Sequence, residues 1–381
     1  ISNYHKSNYI FKIILYYFLI YAAYRVALSK YKVGARFSWP SIILFSLAFG
    51  YYAILVGNPE LSADRRNYAI RYVDPSWNVS QTESYGLNWT YEVLRPISLN
   101  PDFLFFSFEG CYIFLTLVVY RYYRNMHPKS LLILLCSLYP IFGFYGLKQA
   151  ISQALVAIAF MIQFNNSDIK SDIPIKPRRK YLCLGLLSIT FYVGAMLFHE
   201  AAYLPFVIFV AFFFWEIRLV RVLTLGGVFV GLIWGIVALN FFLNSVGQFS
   251  EVLSRQTEHY IEGVDGFNAG ILTIFKGFPF YIISYIGIKY RKYYSNVMRD
   301  YDKYLLCTIF VSAMVLLSAV NYWFFRFSLY FYFPTFIFAY NLRQEMLMRG
   351  YGVRWYGWVF AITLLLSIKE MIQFYFLYNG V

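Results

Sequence analysis

The chain has 381 residues, of which 60% are hydrophobic, 23% aromatic and only 14% charged, with a net charge of +14. Soluble proteins are about 25% charged, so this composition excludes a disordered chain, a disulfide scaffold and an ordinary soluble enzyme. It leaves an all-α, polytopic integral membrane protein, whose basic excess bears on orientation in the bilayer before it bears on nucleic acid.

Apolar runs predict twelve transmembrane helices. At about 20 residues each they use about 240 residues, which leaves loops but no room for a separate soluble domain. A single transmembrane domain over 1–381 is therefore expected. Spans one and two fall at 9–28 and 37–57. A long outer loop, 58–101, follows and carries Asp64, Arg65, Arg66, Arg71, Asp74, Glu83, Glu92 and Arg95. Spans three, four and five are predicted at 102–120, 130–146 and 149–164, the last two separated only by Leu147 and Lys148. Spans six and seven, at 181–198 and 201–216, are separated only by His199 and Glu200, so both pairs read as tight hairpins. Span eight is expected at 222–243, before a second long outer loop, 244–270, that holds Arg255 and His259. Spans nine to twelve are expected at 271–288, 304–320, 328–341 and 356–374, with Arg326 between spans ten and eleven. Lys276, Lys369 and Glu370 fall within or near spans. The 38 Tyr and 40 Phe residues cluster near span ends, as interfacial anchors do.

Loop charge alternates along the chain. Connections after odd-numbered spans hold 21 basic residues, including the run Lys176, Arg178, Arg179 and Lys180. The opposite side holds 8: Lys6, Arg65, Arg66, Arg71, Arg95, Lys148, Arg255 and Arg326. The positive-inside rule puts the richer side in the cytoplasm and both ends of the chain outside. The N-terminus shows no cleavable signal pattern, and because the first residue is not Met, the natural start is expected to lie upstream.

Ionisable groups at the outer membrane boundary are functional candidates by default. His199 can serve as a general base near neutral pH, or it can satisfy a carbonyl of its hairpin turn. Lys148 can bind an anion or snorkel at a span end. Arg326, within Tyr322-Trp323-Phe324-Phe325-Arg326-Phe327, can bind an anion or lie over a ring. Together with Arg255, and with Arg65, Arg66 and Arg95 as further candidates, these outward cations suit a lipid diphosphate, since Arg forks bind phosphate bidentately and Lys binds it as a point charge. Such cations stabilise a leaving diphosphate without a metal. No metal or other cofactor is expected: His5, His127, His199 and His259 lack ligand spacing, and Asp300-Tyr301-Asp302 falls in a basic cytoplasmic loop. Cys111, Cys136, Cys183 and Cys307 read as small core hydrophobes. No GxGxxG, P-loop or GxSxG is present.

These segments resemble the EpsG-like branch of the Wzy-type polysaccharide polymerases. The resemblance lies in Asp64-Arg65-Arg66-Asn67-Tyr68-Ala69-Ile70-Arg71-Tyr72, in Tyr91-Glu92-Val93-Leu94, and in Leu147-Lys148-Gln149-Ala150-Ile151-Ser152-Gln153-Ala154. It continues with Phe198-His199-Glu200-Ala201-Ala202 and Pro205, and ends with Arg326-Phe327-Ser328-Leu329-Tyr330-Phe331. The pieces run from about residue 60 to 335. The family usually has Arg where this chain has Lys148, so the charge is kept and the bidentate fork is lost.

The resemblance implies a GT-C-like glycosyltransferase at the outer face of the bacterial plasma membrane. The donor would be a growing glycan on undecaprenyl diphosphate, and the acceptor the terminal sugar of a new lipid-linked repeat unit. A flippase and a chain-length-regulating co-polymerase would be partners, and nucleic acid would not. His199 is expected as the base, with Asp64 second. Arg326 and Lys148 would hold the diphosphate, helped by Arg255. Glu92, Arg65, Arg66, Arg95, Tyr68, Tyr72 and Tyr330 would bind substrate. An oligosaccharide ligase, a flippase of lipid-linked oligosaccharides and a non-catalytic scaffold are the alternative readings.

Overall fold

The computed structural model describes residues 2–56, 63–74, 84–123, 126–165, 177–214, 274–298, 300–318 and 323–377, with short stretches at 218–220, 222–224 and 226. Every regular element among the described residues is helical. Four helical stretches, Ile10–Lys32, Pro101–Tyr122, Leu147–Phe164 and Arg354–Ile372, are long and apolar enough to cross a membrane, and shorter apolar helices accompany them. The chain is an all-helical, multi-pass membrane protein. Helices lie over predicted spans one to seven and nine to twelve. All but the first residues of span eight, and the whole of loop 244–270 with Arg255, lie outside the described residues.

The chain forms two compact units. Unit 1 comprises Ile1–Val79, Glu83–Glu200 and Phe360–Val381, and unit 2 comprises Ser80–Thr82 and Ala201–Val359. Unit 1 holds α1 (Ser2–Lys32), α2 (Trp39–Val56), α3 (Ala63–Val73), α4 (Tyr85–Leu94), α5 (Pro101–Tyr122), α6 (Pro128–Tyr145), α7 (Leu147–Asn165) and α8 (Pro177–Phe198). Unit 2 holds α9 (Tyr203–Phe213), α10 (Phe278–Tyr294), α11 (Tyr301–Leu317), α12 (Trp323–Ser328) and α13 (Tyr332–Met348). The last helix, α14 (Arg354–Leu377), begins in unit 2 and ends in unit 1.

Small residues decide how closely the helices of unit 1 approach, because apolar area gives no association drive inside lipid. The α2–α5 pair is antiparallel: a Cβ on Gly50 would sit 2.8 Å from the Phe106 carbonyl oxygen, and one on Gly110 3.3 Å from that of Ser46. Hydroxyls bridge the antiparallel α7–α8 pair. Ser152 donates to the Ala195 carbonyl at 2.8 Å and Ser188 to that of Ala159 at 2.9 Å, both buried. Gly86 of α4 lies under Phe198 at the end of α8, where a Cβ would meet the ring at 2.9 Å. Two helix starts carry Pro in the first turn with a side-chain cap before it. Asn100 accepts from the Asp102 N–H at 2.9 Å, and His127 Nδ1 accepts from the Lys129 N–H at 3.1 Å.

In unit 2, α10 and α11 form an antiparallel hairpin. Ser284 and Ser312 share a buried hydrogen bond of 2.8 Å, and the Tyr301 hydroxyl donates to the Gly287 carbonyl at 2.6 Å. The turn between them carries Asp300 in the left-handed region at φ 54, a conformation that Asp tolerates better than most residues. Lys303 pairs with Asp300 at 2.7 Å, and Arg291 with Asp302 at 2.8 Å. The Asp-x-Asp residues thus serve the turn as ion-pair partners. α13 lies parallel to α10, with Phe280 against Tyr332 and Phe336, and Phe338 against Tyr301 and Tyr304.

Several expectations shift. The loop predicted at 58–101 contains two helices, α3 and α4. Lys148 lies inside α7, because the break between the fourth and fifth spans falls at Gly146. Span eleven begins later, at Tyr332, because Trp323–Ser328 and a 3-10 turn at Leu329–Phe331 form separate elements. Cys136 and Cys307 are buried as core residues, whereas Cys111 is exposed on α5.

Candidate functional site

The described sequence-predicted residues divide between the two units. In unit 1 the Ser152–Ala195 hydrogen bond is the reference point. Lys148 lies four residues before Ser152, and His199 lies four residues after Ala195. Because the two helices run antiparallel, both residues stand about one turn, roughly 5.4 Å, beyond that bond at the same end of the pair. Lys148 is half-buried, and His199 is only 4% exposed. The His199 main-chain N–H donates to the Ala195 carbonyl at 3.0 Å, so the backbone makes the hydrogen bond that closes the helix end. Glu200, the next residue, is exposed and opens a 3-10 turn.

The segment between α2 and α5 reaches the same end through α4. Gly86 seats Phe198, the residue before His199. Arg95 then ties α4 back to α3: its guanidinium donates to the carbonyls of Tyr72 at 2.9 Å and Arg71 at 2.7 Å. These are C-terminal carbonyls of α3, where a cation also complements the helix dipole. The Tyr72 hydroxyl donates to the Ser98 carbonyl, and its ring meets Tyr91 edge-on with centroids 5.7 Å apart. Burial pushes the Tyr72 phenol up, and nearby Arg95 partly offsets this. Arg95, Tyr72 and Tyr91 therefore form a clamp that holds α3 and α4 together. Tyr68 is buried, while Arg66 and Glu92 are exposed. Asp64 falls in the first turn of α3, and its side chain lies outside the described residues.

Arg65 points inward. It is 1% exposed, donates to the Ala53 carbonyl at 3.1 Å, and stands over the Phe105 ring at 4.0 Å. The charge facing it is Glu109 of α5. Glu109 is fully buried, and its two oxygens have no hydrogen-bond partner among the described residues. Sequence reasoning passed over Glu109, although it is the one acidic residue in the interior of predicted span three, Asp102 standing at its first position. Gln149 and Gln153 were likewise quoted in a motif without a role. Both are buried in the first two turns of α7, beside Ser152.

In unit 2, Arg326 is half-buried in α12, with Phe325 fully buried beside it. Ser328 donates to the Phe325 carbonyl at 2.7 Å. Tyr330, 1% exposed, sits in the following 3-10 turn. Lys276 joins this group, with its Nζ 4.9 Å from the centroid of the Phe325 ring. Among the described residues, no group of three or more His, Cys, Asp or Glu side chains is placed to hold a metal ion.

Each cluster supplies cations and hydrogen-bonding groups at one end of a helix bundle, which is chemistry suited to an anionic lipid headgroup bearing hydroxylated sugars. A family model described as the EpsG family matches residues 41–379. No curated protein and no solved structure gives a significant match to the chain.

Proposed function

This chain belongs to the EpsG family, the family of Wzy-like polysaccharide polymerases, and on that premise we propose that it polymerises undecaprenyl-diphosphate-linked repeat units. The match over residues 41–379 is the observation that carries the reading. In this proposal the chain crosses the bacterial plasma membrane twelve times as a GT-C-like enzyme and works at the outer face. A hydroxyl of the acceptor's terminal sugar attacks the anomeric carbon of the donor glycan. The bond from that carbon to the diphosphate oxygen breaks, and undecaprenyl diphosphate leaves with the electron pair. His199 takes the hydroxyl proton, and Asp64 is the second choice for that role. Arg326 and Lys148 carry the cationic stabilisation of the departing diphosphate, with Arg255 in support. A flippase supplies the units, and a co-polymerase sets chain length.

Burial of His199 supports its role, since a base shielded from water holds one orientation toward its substrate hydroxyl. For Arg65 and Arg95 the contacts favour support of the outer segment over direct contact with sugar.

The test is a ladder assay. The full chain, in nanodiscs, is mixed with one undecaprenyl-diphosphate repeat unit from its own host, with EDTA and without nucleotide sugar. Wild type is expected to build a ladder. His199→Ala and Arg326→Ala are each expected to lower the rate by about 100-fold or more, in line with loss of acid–base catalysis or of charge stabilisation. Absence of a ladder from folded wild type would overturn the polymerase reading.

A further inference from the structure

Lys276 stands in the unit 2 cluster with a geometry of its own. It lies in the helical residues 274–276, which break from α10 at Gly277. The Gly277 N–H donates to the Ile274 carbonyl at 2.9 Å. The Tyr281 ring lies directly on Gly277, where a Cβ would be 2.2 Å from its hydroxyl oxygen, so a side chain at 277 would push that ring aside. That phenol reaches back to donate to the Ile274 carbonyl at 3.2 Å. Phe275, Phe278 and Tyr281 stack successively around the break, and Pro279 opens α10. The turn carrying Lys276 is therefore fixed from both sides.

The ammonium is held over the face of Phe325, and the next residue in α12 is Arg326. A ring face positions a cation without cancelling its charge, unlike a carboxylate. Helix directions agree with this grouping. The antiparallel α10–α11 hairpin puts the start of α10 and the end of α11 together, and α12 follows α11 after a short connection.

We infer that Lys276, held over Phe325 beside Arg326, is a second cation of the diphosphate-binding site. The inference rests on the polymerase reading and deepens it. Arg326 presents a planar fork, and Lys276 adds a point charge that can follow the phosphate whose bond to the sugar breaks. A diphosphate has two anionic groups to satisfy, whereas a monophosphate lipid has one. The pair therefore selects the donor and the product undecaprenyl diphosphate over undecaprenyl phosphate.

The experiment measures binding of undecaprenyl diphosphate and of undecaprenyl phosphate to the full chain in nanodiscs. Lys276→Met keeps the aliphatic stem against Phe325 and removes the charge. It is expected to weaken diphosphate binding by about tenfold, to near the monophosphate affinity, while Lys276→Arg stays within about threefold of wild type. Lys289→Gln, on an exposed ammonium at the far end of α10, is the control for loss of charge alone and is expected to bind as wild type. Undiminished diphosphate binding by Lys276→Met, with binding lost in Arg326→Gln, would overturn the role of Lys276 and leave the polymerase reading standing. Equal loss in Lys276→Met and Lys276→Arg would overturn it too, because charge would then not be what matters. A wild type that does not prefer the diphosphate lipid would bring down the diphosphate reading and this inference together.

Discussion

Arg65 and Glu109 show what a membrane interior demands of a charge. Arg65 leaves the outer segment and buries itself between Ala53, Phe105 and Glu109. Removing one member of a buried pair strands the other, whereas replacing both with apolar residues is far better tolerated. Glu109→Ala, which takes the nearby carboxyl from buried Arg65, is expected to lower the unfolding midpoint, and the double variant Arg65→Met, Glu109→Leu to recover most of that. Unfolding midpoints of the purified protein in detergent check this, and equal midpoints for Glu109→Ala and wild type would remove the pair from the account. The sequence made Arg65 visible as an outward cation but not its direction, because a charge near a span end looks the same whether it turns toward water or toward a carboxylate one helix away. Glu109 was equally visible as an acid inside an apolar run. Its significance depends on Arg65 lying opposite, and that is a tertiary fact.

At the scale of elements, close contact between helices is set by residues with little side chain. Gly50 touches the backbone of Phe106, which cannot swing aside as a side-chain tip would. Gly50→Val is expected to cost about 2–3 kcal/mol by forcing α2 from α5, with a lower unfolding midpoint as the readout. Substitution at Gly34, which has nothing within 4 Å of an added Cβ, meets no neighbour but strains a positive φ. Among the described residues, apolar runs were sufficient to locate helices over eleven of the predicted spans, since length and hydropathy are local properties. They were insufficient for α3 and α4, whose polar sequences carry short amphipathic patterns and are held by Arg95, Tyr72 and Tyr91 acting across the segment. They also merged α12 and its 3-10 turn with α13. The aromatic run there is apolar throughout and gives no break in hydropathy, although the backbone changes direction.

At the scale of the whole molecule, the alternation of basic loops gives an orientation that can be tested without any knowledge of substrate. In a cysteine-free background, Glu92→Cys on exposed α4 is expected to react with an impermeant maleimide added to intact cells. Arg291→Cys, exposed in the basic connection after predicted span nine, is expected to react only after lysis. The reverse pattern would invert the orientation and place His199, Lys148 and Arg326 on the cytoplasmic side. Family membership was legible because its motifs keep their order along the chain. The grouping of Lys276 with Arg326 was not, since about fifty residues separate them and the ring that joins them is one Phe among 40.

The contact between Gly86 and Phe198 has a consequence for redesign. With no space for even a methyl group under that ring, α4 cannot slide along α8 unless Phe198 moves, and His199 is the next residue. The outer segment and the imidazole are thus geared together. A library built to accept a different sugar has freedom at Trp89, Glu92 and Val93, which face outward. Position 86 is the tooth of the gear, and diversity introduced there would displace Phe198 and with it the neighbouring His199.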